Sequence, residues 1–287
     1  MAALVEERRS QICLGLDPDP AQLVAGAGAV AGKADASPAE LAAAAVVSHC
    51  RTLIERAGPA CVAVKPQLAC FERLGAPGWK ALAEVCAAAG EAGLLTVADG
   101  KRGDVPITAA AYAQALVGET ATPWGPVAGL GADAFTANPL LGRDALEPLV
   151  AAAAEAGAGV FALVRTSNPG AADVEDLPAP DRPLHERLAQ LVDGFAARLA
   201  GSGGASGMGA VVGATEPQHL ERLRELMPRS IFLIPGVGAQ GGQPQLLGPA
   251  FAPGRAYGLV AASRSIAADS DPAAAAERLR AAVWEVS

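Results

Sequence analysis

Short, near-continuous apolar runs recur along the chain, each closed by polar, Gly or Pro residues and most followed by an Ala- and Leu-rich stretch of helical character. The runs Ile12–Leu16, Cys61–Val64, Leu94–Ala98, Ala132–Thr136, Val160–Val164, Ala210–Val212, Ile231–Ile234 and Leu259–Ala261 predict eight strands. Unbroken apolarity suits parallel strands that carry helices on one face and a packed interior on the other. Strands alternating with helices in this way predict an α/β fold, a single (β/α)8 TIM barrel over residues 1–287, rather than a sandwich or bundle.

Helix signals fill the gaps. Ser37-Pro38-Ala39-Glu40 reads as a capping box with Pro at the first helical position, opening a helix towards Arg56. Thr215-Glu216-Pro217-Gln218 repeats the pattern before Leu220–Met227, and Asp271-Pro272 caps a terminal helix towards Glu285. Two stretches, Ala25–Ala36 and Asn168–Pro183, read as long surface loops. The second follows a strand end and reads equally well as a lid over a site or as an insertion without function.

Composition narrows the class. Hydrophobic residues make up 51% and aromatics only 4%, so Ala, Val and Leu must do most of the packing. A net charge of -8 argues against a general nucleic-acid binder, whose footprint is a basic stripe. The five cysteines (Cys13, Cys50, Cys61, Cys70, Cys86) are odd in number and hold no C-x-x-C pair, as expected for a reduced cytoplasmic protein that buries them as small apolar residues. The N-terminal MAALVEERRS has no apolar signal core. The longest charge-free stretch, Ser230 to Gly254, is broken by Pro235, Pro244 and Pro249, so no membrane span is expected.

In such a barrel the chemistry sits at the C-terminal ends of the strands, and the polar residues of this chain gather there. Asp17 ends strand 1 and Lys65 strand 2; Asp99, Lys101 and Asp104 follow strand 3. Arg165-Thr166-Ser167-Asn168 ends strand 5, Gly236-Val237-Gly238-Ala239-Gln240 follows strand 7, and Ser263-Arg264 follows strand 8. Strand-end residues usually make turns, and Asn138 and Thr215 are read that way. The set as a whole, with two lysines and three acids on one rim, is not. Asp99 and Lys101 alternate past an apolar strand, so both point to the barrel mouth. There the acids can orient ammonium groups that hold their protons, an arrangement suited to delivering a proton to carbon.

The segments LGLDPDP (14–20), VKPQLACFE (64–72), ADGKRGDVPIT (98–108), VRTSNPG (164–170), IPGVGAQGG (234–242) and SRSI (263–266) together resemble the longer branch, type 2-like, of orotidine 5′-phosphate decarboxylase. The resemblance covers strands 1 to 8 in order. It implies a cofactor-free carbon–carbon lyase that converts orotidine 5′-monophosphate (OMP) to UMP and CO2 in UMP biosynthesis, working as a homodimer with shared active sites. It implies a catalytic array of Lys65, Asp99, Lys101 and Asp104, with Lys101 the proton donor to C6 and Asp104 reaching the neighbouring subunit's site. Asp17, Lys65 and Thr108 are similar to ribose contacts, Thr108 in trans, and Gln67 matches a position near the ribose. Ser167, with Thr166, resembles the contact to the pyrimidine amide edge. Gln240 and Arg264 resemble phosphate ligands, helped by the backbone N–H groups of Gly236–Gly238, with Gln243 the alternative to Gln240. One departure is the Ala262-Ser263 pair before the arginine, where the family often has Gly.

The phosphate reading also has its own physical basis, because barrels often bind phosphate between the loops after strands 7 and 8, and glycines there admit backbone donors. The same loop formally matches G-x-G-x-x-G, but no Asp or Glu falls between Glu225 and Asp269 to hold a dinucleotide ribose. His49, His185 and His219 lie on predicted helices, far apart and without metal-ligand spacing, and Cys70 has no histidine beside it in the motif set. No metal or cofactor is therefore expected. Two alternatives remain: a related Mg-dependent sugar-phosphate barrel, which Lys65 disfavours because those enzymes carry an acid there, and a non-catalytic nucleotide-binding barrel.

Overall fold

The computed structural model of the chain describes residues 1–29 and 35–287. Eight parallel strands close a barrel: β1 (Ile12–Leu16), β2 (Ala63–Pro66), β3 (Leu95–Arg102), β4 (Ala134–Ala137), β5 (Gly159–Arg165), β6 (Ser206–Val212), β7 (Ser230–Pro235) and β8 (Gly258–Ala262). Each pairs with its neighbours in chain order, and β8 closes the ring on β1 through Ile12 against Val260, Cys13 against Ala261 and Leu14 against Ala262. The predicted fold class is therefore the observed one. A short exposed hairpin, Glu119–Thr120 with Val127–Ala128, was not anticipated.

Two layers of core follow from the two-residue period of the strands. Cys13, Ala63, Val97, Ala134, Phe161, Val211, Leu233, Leu259 and Ala261 fill the barrel interior. The alternate residues, among them Leu14, Val64, Ala98, Phe135, Ala162, Phe232 and Val260, pack outward against the helices. Gly209 leaves room for the Phe161 ring, which a Cβ there would approach to 2.6 Å.

The bottom of the barrel is closed by a helix absent from the sequence prediction, Ala2–Arg8, which sends Val5 into the interior cluster. Arg8 fastens it by donating to the carbonyls of Gly58, Cys61, Ala92 and Gly93. The expected capping box is present: Ser37 Oγ accepts from Glu40 N and Glu40 reaches back to Ser37 N, opening the helix Pro38–Ala57. Asp271 caps the helix Pro272–Val286 through Ala273 N and Ala274 N. Thr215 does not cap the helix Gln218–Leu226 as expected; its hydroxyl donates instead to Ser167 O at 3.1 Å, tying two rim loops together.

Of the loop predicted over Ala25–Ala36, residues 30–34 lie outside the described residues. The loop over Asn168–Pro183 is built rather than open. Arg165, 5% exposed at the end of β5, forms a two-pronged pair with Asp176 at 2.9 and 3.0 Å, and Glu175 accepts from Thr166 N at 2.8 Å.

Candidate active site

The next inward position up each strand from the core layer carries the polar residues. Two residues beyond Ala63 stands Lys65, beyond Val97 Asp99, beyond Ala134 Thr136, and beyond Ala261 Ser263. All four line a cavity of about 450 Å³ at the C-terminal mouth, together with Gly15, Asp17, Gln67, Lys101, Thr166, Ser167, Glu175, Gly236, Gln240 and Arg264. That volume lies in the range that holds a nucleotide-sized ligand.

Asp99, 5% exposed, is the hub. Its Oδ2 accepts from Lys65 Nζ at 2.5 Å and from Gln67 Nε2 at 3.2 Å. Its Oδ1 accepts from Lys101 Nζ at 2.6 Å and from Thr136 Oγ1 at 2.8 Å. Burial favours the neutral acid, but the two ammonium groups outweigh it and hold the Asp99 carboxyl down to about 2. Lys65 is balanced in the same way: burial pushes its ammonium down, and the charges of Asp99 and Asp17 more than reverse this, leaving it above the ordinary lysine value. The site therefore keeps Lys65 protonated and its central acid ionised at neutral pH.

The geometry of β3 explains how two neighbouring side chains reach one mouth. Ala98 lies against Phe135 and Arg102 against Ala137, so Asp99, Gly100 and Lys101 together oppose Thr136 alone. This bulge puts Lys101 in the left-handed region, at φ 49°. For a non-glycine residue that conformation costs about 1–3 kcal/mol and persists only where its surroundings hold it. Lys101 N donates to Thr136 Oγ1 at 2.8 Å.

On the far side of the cavity, Gly236 (φ 101°) lets the loops after β5 and β7 converge. A Cβ there would lie 3.1 Å from Ser167 Cβ and 3.2 Å from Gln240 Oε1. Gln240 lines the cavity and Gln243 does not. Gly238 departs from its expected place: it lies outside the lining, and its N–H donates to Gly242 O at 3.1 Å, so that amide is not free for an anion. Arg264 is exposed at the mouth with no ion-pair partner among the described residues. The Ser263 that precedes it is accommodated by Gly15, where a Cβ would come within 2.6 Å of Ser263 Cβ.

Asp104 and Thr108 are not brought into this cavity. Asp104 Oδ1 accepts from Val105 N, and Thr108 lies on the helix Pro106–Leu116; both are half-buried and outside the cavity lining. Beside them Val105 is 54% and Ile107 88% exposed. Asn138 is a turn residue, its Oδ1 accepting from Leu140 N.

The sequence reading missed Thr136 and Glu175 as cavity residues. The first sits at the end of an apolar run, and the second is placed by its bonds to Thr166 N and Oγ1 and its ion pair with Arg165. The histidines also need a correction. His185 and His219, distant in sequence, meet edge-on with ring centroids 4.8 Å apart, because successive helices on the barrel lie side by side. They stand behind the Asp176 loop rather than in the cavity, with His185 Nδ1 3.0 Å from Asp176 Oδ1. Among the described residues no group of three or more His, Cys, Asp or Glu is placed to hold a metal ion. Burial pushes the thiols of Cys13, Cys50, Cys61, Cys70 and Cys86 up, away from a nucleophilic thiolate.

Comparison with known proteins agrees with this geometry. The family model described as orotidine 5′-phosphate decarboxylase / HUMPS matches residues 10–279. The chain is 39% identical over 260 residues to orotidine 5′-phosphate decarboxylase of Rhodopirellula baltica, covering 90% of this chain and 83% of that one. It is 41% identical over 265 residues to the enzyme of that name from Deinococcus radiodurans, covering 90% and 84%. Among solved structures it is similar to Leishmania donovani OMP decarboxylase, with a TM-score of 0.72 at 35% identity, covering 99% of this chain and 98% of that one. With strand order, rim chemistry and sequence in agreement over nearly its whole length, the chain belongs to the orotidine 5′-phosphate decarboxylase / HUMPS family.

Proposed function

We propose that this chain decarboxylates OMP to UMP with Lys101 as the proton donor, as a cytoplasmic homodimer of single-barrel subunits. The enzyme is a carbon–carbon lyase of pyrimidine biosynthesis. One observation carries the residue roles: a buried carboxylate, Asp99, held ionised between Lys65 and Lys101 at the mouth of a nucleotide-sized cavity.

The bond from C6 to the carboxylate carbon breaks, CO2 departs, and the electron pair stays on C6. Lys101 Nζ then gives C6 a proton and regains one from water, so that OMP and one proton become UMP and CO2. Negative charge develops beside an ammonium already fixed by Asp99, so little reorganisation is needed as the transition state forms. Asp17, Gln67 and Lys65, all lining the cavity, contact the ribose in this reading, and Thr166 and Ser167 the pyrimidine edge. Arg264 and Gln240 take the phosphate, whose remote binding energy helps hold the base in place. A lysine at the end of β2, locked onto Asp99, favours this reading over a Mg-dependent relative with an acid at that position. The five free cysteines support a reducing compartment.

The dimer rests on Asp104, Thr108 and their apolar surroundings. Gly103 packs against the backbone of Asn138, so exposed Val105 and Ile107 share that side of the rim with Leu140 and Leu141, 57% and 48% exposed. Covering this patch with a second copy would carry Asp104 and Thr108 to the neighbour's cavity. The test is turnover of OMP, followed by absorbance in the presence of EDTA, by Lys101→Ala, Asp104→Ala and their mixture. Each variant alone should lose at least ~10²-fold in kcat, the scale of general acid catalysis. After subunit exchange, half the dimers are mixed and each has one intact site, so roughly a quarter of wild-type activity should return. If exchange is verified by mass spectrometry and no activity returns, Asp104 does not act in trans. Loss of wild-type turnover with EDTA would favour the metal-dependent alternative, and UMP binding without turnover the non-catalytic one.

A further inference from the structure

We infer that Thr136 is a positioning residue for proton delivery, its single hydroxyl fixing both Lys101 and Asp99 across the bulge in β3. The inference rests on the proposed role of Lys101 and adds to it. Thr136 is 1% exposed and stands alone opposite three residues of β3. A hydroxyl has one proton to give and lone pairs to receive, and here both functions are used. The proton goes to Asp99 Oδ1 at 2.8 Å, and a lone pair takes Lys101 N–H at 2.8 Å.

The bulge makes this bond matter. The β3–β4 ladder resumes at Arg102 against Ala137, with Lys101 in the unpaired stretch and its backbone at φ 49°. A lysine held in the left-handed region needs its surroundings to keep it there. Thr136 supplies an acceptor at the residue whose backbone is strained, and the same oxygen binds the carboxylate that receives Lys101 Nζ. Backbone and side chain of Lys101 are thus referred to one atom on the neighbouring strand. Thr136 thus meets Lys101 directly at the backbone and, through Asp99, at Nζ. Without the hydroxyl, Lys101 N–H and Asp99 Oδ1 each lose a partner in a partly buried site, and the bulge is free to relax.

A purely structural Thr136 would matter only for folding, and the two roles are separable. Thr136→Val keeps the shape and deletes the hydroxyl; Thr136→Ser keeps the hydroxyl and deletes the methyl. In steady-state assays with OMP, Thr136→Val should lose on the order of 10- to 100-fold in kcat, the scale of a misplaced reacting group. KM should change by less than about threefold, since the lost interaction acts in the transition state. Thr136→Ser should stay within about threefold of wild type. Thr136→Cys, whose thiol bonds weakly, repeats the test if the valine variant does not fold. Wild-type kcat in a folded Val or Cys variant, a loss borne wholly by KM, or a serine variant as slow as valine would each overturn the inference. Lys101→Ala, assayed in parallel, keeps the two readings apart. If it retains turnover, the donor assignment fails; if it is dead while Thr136→Val is fully active, only the positioning role fails.

Discussion

Asp99→Asn should unfold the balance of charge at the mouth, and its size can be worked from the pair it breaks. In the wild-type chain, the Asp99 carboxyl is held at about 2 against an ordinary 3.8, which corresponds to roughly 2 kcal/mol of stabilisation at neutral pH. The folded value lies below the unfolded one, so this stabilisation is complete above about pH 4 and is lost as the pH falls towards 2. Lys65 is shifted the other way, above its ordinary value, so its share is complete below about pH 10 and is lost at higher pH. Between those limits the pair adds no slope.

Asparagine removes the charge and leaves the Lys65 ammonium 8% exposed beside it. Breaking one side of a buried ion pair costs about 3–5 kcal/mol, more than the pair itself is worth, because the remaining charge stays desolvated. With Asp99 neutral, burial, already the largest single influence on Lys65, is opposed by the charges of Asp17 and Cys13 without the help of Asp99. Lys65 then falls below its unfolded value, the unfolded chain binds more protons, and stability rises with pH by up to ~1.4 kcal/mol per unit. Urea denaturation of both proteins at pH 6, 7.5 and 9 reads the loss and the slope. A variant within 1 kcal/mol of wild type at every pH, with a parallel profile, would refute the reasoning and place Lys65 in water.

The other rim residues give sharper binding and packing tests. Arg264→Ala should weaken UMP by about 1.5–3 kcal/mol while leaving uridine nearly unchanged, because only the nucleotide offers a phosphate to the exposed guanidinium; equal losses in calorimetry would move the arginine elsewhere. Gly15→Ala places a Cβ within 2.6 Å of Ser263 Cβ and should cost about 1–3 kcal/mol while raising KM by displacing Arg264. Adding Ser263→Gly should recover most of both, and failure to recover would show that the crowding lies elsewhere. Arg165→Met should release Asp176, and with it the loop 168–183, from the end of β5 and speed the loop's cleavage by a non-specific protease at least severalfold before global unfolding; an unchanged digestion rate would mean that Thr166 and Glu175 suffice to hold it.

The barrel was legible because its strands are nearly all apolar, and the site because its residues continue the same inward period. β1 runs over the predicted residues, Ile12–Leu16. β3 runs further than its apolar core, to Arg102, since pairing resumes after the bulge through residues that carry no hydrophobic signal. β6 starts at Ser206 rather than Ala210, because Gly209 is buried against Ile231 O and Phe161, a packing role that a glycine in a pattern does not announce. The helix Ala2–Arg8 was missed because one buried residue, Val5, is too little periodicity to read. Thr136 and Thr215 show the sharper limit. Each is defined by what its hydroxyl meets on a neighbouring strand or loop, and pairings between distant segments are invisible to a local pattern.

Closure of the ring between β1 and β8 also bears on the order in which a working molecule comes into being. The strand that lies against Ile12–Leu14 is the last one in the chain, and Arg264 follows it directly. A chain halted before Gly258 would leave β1 and β7 as open edges, each ready to pair with strands of other molecules. It would also lack Arg264, the arginine proposed to bind phosphate, however well its Lys65–Asp99–Lys101 cluster had formed. Contacts between the two ends of a sequence are slow to make, since the loop entropy is lost before they stabilise anything. The same late event therefore ends the aggregation-prone stage and completes the substrate pocket, so recovery of activity during refolding should coincide with loss of exposed edge rather than with the earlier rise of helix.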